Sequence, residues 1–266
     1  MFSFRNQNDG FINASCIWIW LPLVLMFGLA GVILLTRSNK EIFLLVNQVS
    51  QITGDRLWAV LTFFSDGLVS FVILLPFIHQ KPHLVWSVLV AAVLFTLFGQ
   101  GIKHITQVLR PPQIFSPDSF HLIGPDWGHN SFPSGHASMV FNLAGVFSLT
   151  VKKNWIRFLL IGLASVIAVS RIVVGVHWPV DILVGAAIGW ITVWIGLKVS
   201  AKTTWGWNRS GRKILGAVLL VGCVLLFFVD YTGHENIMGF QRLIAVVFLL
   251  AGGHEYLKTF GWKGVL

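Results

Sequence analysis

Apolar residues in this chain come in long runs separated by short polar breaks, the pattern of helices that face lipid rather than water. A hydrocarbon core about 30 Å thick needs roughly 20 residues of helix. Runs near that length occupy Ile17–Thr36, Trp58–Ile78, Leu84–Lys103, Ser134–Val151, Trp155–Val176, Pro179–Val199, Lys213–Asp230 and Gly239–Leu257. They predict eight crossings. Between the first two, Glu41–Thr53 (EIFLLVNQVSQIT) is amphipathic and too short to cross, so an interfacial helix is expected there. Residues 111–133, rich in Pro, Ser, Asp and Phe, form the one long loop. The expected organisation is a cytoplasmic segment at 1–16, a six-span core at 17–200, and a linker with an appended two-helix hairpin at 201–266. The first run is long for a signal-peptide core and has almost no basic leader beyond Arg5, which predicts a retained anchor.

Composition agrees with that pattern. The chain is 55% hydrophobic and 11% charged, with a mean hydropathy of +0.77; a soluble domain would carry about 25% charged residues. An all-α integral membrane protein is therefore expected. The net charge of +9 is spread between apolar segments and forms no contiguous stripe, which excludes nucleic acid as a partner. Cys16 and Cys223 offer neither a disulfide framework nor a zinc spacing. Eight crossings put twelve lysines and arginines on the side of both termini. Seven fall on the other side: Arg37, Lys40, Arg56, Lys103, Arg110, Arg171 and Arg242. The positive-inside tendency then makes both termini cytoplasmic, in a bacterial-type inner membrane.

Three short patterns fall on the extracytoplasmic side. They are Lys103 with Arg110-Pro111, then Pro133-Ser134-Gly135-His136, then Ser170-Arg171 with His177 and Asp181. The topology brings them to one membrane face although they are remote in sequence. Lys103 and Arg110 are close to two helical turns apart and could share a face, although Pro111 disfavours a helical backbone at Arg110. With Arg171 they make three cations at the bilayer boundary, where unpaired charge is costly and an anion should balance them. Ser134 and Gly135 open a helix whose first N–H groups form a phosphate cradle. His177 and Asp181 lie four apart, on one face of a helix that Pro179 can start. A carboxylate on one imidazole nitrogen leaves the other free to attack, and His136 can protonate the departing oxygen. No metal or cofactor is called for, because no carboxylate cluster is present to hold one.

Together, KxxxxxxRP, PSGH and SRxxxxxHxxxD resemble the signature of the type-2 phosphatidate phosphatase superfamily, which includes membrane lipid phosphatases and soluble vanadium haloperoxidases. Every signature position is filled here. The resemblance implies a six-helix phosphatase core over about residues 17–200, with two additional C-terminal transmembrane helices beyond it. It also implies a phosphohistidine at His177, acid catalysis by His136, and phosphate held by Lys103, Arg110, Ser134, Gly135 and Arg171. The substrate would be a membrane lipid phosphate of the isoprenyl diphosphate, phosphatidylglycerol phosphate, phosphatidate or lipid A type. A phosphotransferase would use the same residues. An anion transporter is the rival of another class, but no polar stripe runs through several spans.

Other polar residues get plainer readings. His104, His121 and His129 are expected to be interfacial; His129 and Asn130 sit close enough to PSGH to support the site. His234-Glu235 and His254-Glu255 lack the second histidine of a zinc helix. Asp66, inside the second run, is a supporting candidate within reach of Arg56 or a site cation. Gly185 and Gly189 predict helix packing. Phe115, Phe120, Trp127 and Phe132 are expected to anchor the long loop at the interface. The partners called for are a lipid phosphate and the bilayer; these motifs do not encode an oligomeric state.

Overall fold

A computed structural model of the chain describes residues 12–126, 128, 130–230, 233 and 237–260. Its helices are α1 (Cys16–Leu35), α2 (Asn39–Asn47), α3 (Val49–Thr53), α4 (Asp55–Phe63), α5 (Gly67–Val72), α6 (Phe77–Gln80), α7 (Pro82–Thr106), α8 (Gly135–Thr150), α9 (Asn154–Val173), α10 (Pro179–Lys202), α11 (Arg209–Phe228) and α12 (Met238–Phe260). No β-strand occurs among the described residues. Among the described residues six helices, α1, α7, α9, α10, α11 and α12, are long and apolar enough to cross a membrane. Their outward faces carry exposed residues such as Leu25, Leu97, Leu159, Val221 and Leu250. In water such surface would be a liability; against acyl chains it is the matching solvent. The protein is an integral membrane protein.

Eight uniform crossings are not what forms. The run Trp58–Ile78 is broken into α4, α5 and α6. The cause is local: the Asp66 carboxylate accepts from the N–H groups of Leu68 (2.8 Å) and Val69 (3.4 Å) and caps α5, which competes with helix continuation. Pro76, lacking an N–H, marks the second break. Helix α8 has 16 residues, about 24 Å at 1.5 Å per residue, shorter than the expected run. The amphipathic segment begins at Asn39 and is split at Gln48 into α2 and α3.

Helix α10 is the central post, packed against α8, α7 and α1. Small residues let it approach them closely. A Cβ on Gly189 would meet the Ser138 Cα at 2.9 Å, and one on Gly185 would lie 3.1 Å from the Ser134 nitrogen. Helices α11 and α12 pack on each other and cover the broken segment, α11 against α5 and α12 against α6. Buried Gln241 donates to the carbonyls of Leu226 and Val229, both at 2.7 Å, and so closes the hairpin. At its tip Phe240 lies edge-on to Phe63 and Phe64, 5.7 and 5.9 Å away.

Candidate active site

Four chain segments end at one pole of the bundle: the C-termini of α7 and α9 and the N-termini of α8 and α10. Helix α9 stops at Val173, short of the expected Val176, and Gly175 at φ +89° turns the chain. Only glycine takes that conformation without strain, and a Cβ there would sit 2.9 Å from the His121 carbonyl. His177 therefore lies in a short link rather than on a helix. Pro179 starts α10, and Asp181 at its third position reaches back to accept from the Trp178 N–H at 2.9 Å.

His177 is fully buried and its tautomer follows from its partners. Its Nε2 lies 3.2 Å from Nη1 of Arg110. A guanidinium can only donate, so Nε2 is the acceptor and Nδ1 carries the proton. That proton faces Asp181 Oδ2 at 3.3 Å and Ser131 Oγ at 3.2 Å, while the Ser131 hydroxyl donates to the same Asp181 oxygen. Burial, and then the charges of Arg110 and Arg171, push the His177 imidazole well below its usual range. The ring is thus neutral at neutral pH, with a lone pair on the nitrogen turned away from the carboxylate. The ring of His136 stands 6.5 Å from it, centroid to centroid.

The cations surround this pair. Lys103, in the last turn of α7, reaches the Asn130 carbonyl at 3.5 Å. Arg110 is in extended backbone before Pro111, so it shares no helical face with Lys103; the two meet instead at Asn130, whose carbonyl also accepts from Arg110 Nη2 at 3.4 Å. Arg110 Nη1 is held further by the Val176 carbonyl at 2.9 Å. Arg171 donates through Nη1 to Thr62 Oγ1 at 2.8 Å. Among the described residues, its Nε and Nη2, and Arg110 Nε, are buried without a hydrogen-bond partner. Buried guanidinium donors left that way are costly, and carboxylate or phosphate oxygens are the acceptors that guanidinium groups pair with most strongly. Ser134 caps α8 by accepting from the Ala137 N–H at 3.3 Å, which leaves its own proton to donate. The first N–H groups of α8, those of Gly135 and His136, lack helical partners by position.

The signature residues are therefore gathered at one place. Asn130 contributes its backbone carbonyl; His129 lies outside the described residues, as do Trp127, His234 and Glu235. Asp66 does not pair with Arg56: its Oδ2 stands 4.0 Å from His136 Nε2. His121 pairs with Asp55 at 2.9 Å and fastens the long loop. Phe115 and Phe120, expected to anchor the loop at the interface, are half-buried and pack onto Phe43, at 5.7 and 5.8 Å, and Phe115 also packs on Trp178. Sequence reasoning missed Ser131, Thr62 and Asn47. Buried Asn47 donates to the carbonyls of His121 (2.7 Å) and Val173 (2.9 Å) and accepts from the His121 N–H (2.7 Å). Common polar residues of this kind carry no spacing that marks them; only their burial does. Among the described residues no three His, Cys, Asp or Glu side chains converge as a metal site. An apolar cavity of about 510 Å³ adjoins Asp181 and Trp178, walled by Leu34, Val108, Ile114, Phe132 and Val184, with Arg37 and Lys40 among its lining residues.

Comparison with known proteins adds independent evidence. The family model of the PAP2 superfamily matches residues 84–205. The chain is similar to an undecaprenyl-diphosphatase of Sulfolobus acidocaldarius, 30% identical over 169 residues, covering 62% of this chain and 79% of that protein. It is also similar to a lipid A 4'-phosphatase of Bacteroides thetaiotaomicron, 26% identical over 59% of this chain and 70% of that one. Among solved structures it resembles Aquifex aeolicus LpxE, with 34% identity, a TM-score of 0.53, and coverage of 60% of this chain and 94% of that chain.

Proposed function

Given that this chain belongs to the PAP2 superfamily and is a lipid phosphatase, we propose that it hydrolyses its substrate without a metal, through a phosphohistidine at His177. One observation carries this reading: His177 Nδ1 is held by Asp181 and Ser131 while Nε2 faces the Arg110 guanidinium. Attack by the Nε2 lone pair on phosphorus forms the N–P bond and breaks the bond to the lipid oxygen. His136 gives that oxygen its proton. The positive charge that develops on His177 is stabilised by Asp181, and the phosphoryl oxygens by Lys103, Arg110, Arg171, Ser134 and the N–H groups opening α8. A water molecule, losing its proton to His136, then attacks the phosphohistidine and releases phosphate.

The substrate class is a phosphate on a membrane-anchored lipid, with the tail in the apolar cavity beside Trp178. The relatives favour isoprenyl diphosphates and lipid A phosphates over phosphatidate. The excess of basic residues on the side of the termini supports a site that opens to the outer leaflet of the inner membrane. The test is phosphate release by purified protein from undecaprenyl diphosphate, lipid A and phosphatidate in detergent, with and without chelator. His177→Ala and His136→Ala are expected to lose at least about 10³-fold in kcat, and chelator to change nothing. Undiminished turnover in His177→Ala would remove the proposal.

A further inference from the structure

His136 has to carry a proton when the lipid oxygen leaves, yet it stands among positive groups. Arg171 comes to it from α9, Lys103 from α7, and Arg110 and the second imidazole, His177, from the links beside them. A cationic imidazolium in that company calls for an opposite charge close by. Among the described residues the carboxylate nearest to it is Asp66, at 4.0 Å from Nε2. Asp66 lies outside the stretch that matches the family model, which begins at residue 84.

Building on the histidine mechanism proposed above, we propose that Asp66 is a positioning residue, whose carboxylate holds His136 in the charged form that protonates the leaving group. Three features of the geometry fit the task. The separation is longer than a hydrogen bond, so Asp66 supplies charge without taking the Nε2 proton that the leaving oxygen must receive. The other carboxylate oxygen is pinned by the Leu68 and Val69 N–H groups, so the side chain is fixed against the site. The corner bearing it, Phe63–Gly67, is backed by Phe240 of α12 packed on Phe63 and Phe64. The C-terminal hairpin thus braces the carboxylate from behind.

The experiment compares two leaving groups in wild type, Asp66→Asn and Asp66→Ser. Both substitutions retain an N-capping side chain for α5, so the fold is kept. An isoprenyl monophosphate expels a poor leaving group that needs a proton, whereas p-nitrophenyl phosphate expels one that does not. Asp66→Asn is expected to lose about 30-fold or more in kcat on the lipid and less than about threefold on the aryl ester, with KM little changed. The alkaline limb of its pH profile should also move to lower pH. Equal losses on both substrates would make Asp66 merely structural and overturn the proposal, as would an unchanged variant. Wild type inert toward these two substrates and also toward undecaprenyl diphosphate and lipid A would instead sink the phosphatase reading itself.

Discussion

The contact between α10 and α8 makes a sharp prediction, because it joins the two halves of the site. Helix α10 carries Asp181 and follows His177; α8 carries Ser134, Gly135 and His136. At their crossing the Gly185 Cα faces the Ser134 backbone. An added methyl would lie 3.1 Å from the Ser134 nitrogen and 3.2 Å from its carbonyl carbon, and would press harder still on the carbonyl oxygen. All three are main-chain atoms that cannot rotate away. The helices must part by roughly 1 Å, and a displacement of that size at a reacting centre costs on the order of 10²-fold in rate. Overpacking itself costs about 1–3 kcal/mol. Gly185→Ala should therefore fold with a lowered Tm and lose about 10²-fold in kcat on a lipid diphosphate. Gly162→Ala, where nothing lies within 4 Å of the new methyl, should match wild type in both. The measurement is phosphate release beside a thermal unfolding curve in the same detergent. A folded Gly185→Ala protein within about threefold of wild-type kcat would refute the claim that this crossing sets the site.

Two further outcomes follow. Ser131→Ala removes the hydroxyl that links His177 Nδ1 to Asp181 but leaves their direct 3.3 Å contact; kcat should fall about 10-fold with KM unchanged, and a loss as deep as that of His177→Ala would contradict the assignment. Because burial and neighbouring guanidinium groups push the His177 imidazole below its usual range, it stays a neutral nucleophile where a free imidazole begins to take up its proton. The acid limb of kcat/KM should then lie below pH 6.5, whereas protein stability should decline as pH falls through 6.5, where the unfolded chain takes up the proton and the native one does not; an acid limb above 6.5 would contradict this.

Much of the site was legible in the sequence for a physical reason. A charged or imidazole side chain at the edge of an apolar run is expensive, and Lys103, Arg171 and His177 stood out because the expected topology brings them, with Arg110 and His136, to one membrane face. Long apolar runs likewise marked the six long helices. The break in the second run was not legible, because three residues, Ser65-Asp66-Gly67, scarcely alter the hydropathy of a 20-residue window, while one carboxylate capping two N–H groups is enough to end the helix. Nor does sequence say which way an aromatic ring in a Pro-rich loop will turn, as Phe115 and Phe120 show. Arg157 was counted with loop charges. It is buried, its Nε donating to the Ser148 carbonyl at 3.0 Å and its Nη2 to the Asn13 carbonyl at 3.2 Å, because carbonyls at the ends of neighbouring segments can solvate a guanidinium as water would.

The interrupted stretch from α4 to α6 bears on how the molecule is made. Main-chain groups freed at Ser65–Gly67 and again near Pro76 cannot be left to hydrocarbon, which offers them no hydrogen bond. They are tolerable only under a protein cover, and part of that cover is α11 and α12, which come later in the chain than the segments they cover. The carboxylate corner beside His136 is thus laid down early and roofed late. During synthesis that corner can gain this part of its cover only once α11 and α12 have followed it into the membrane.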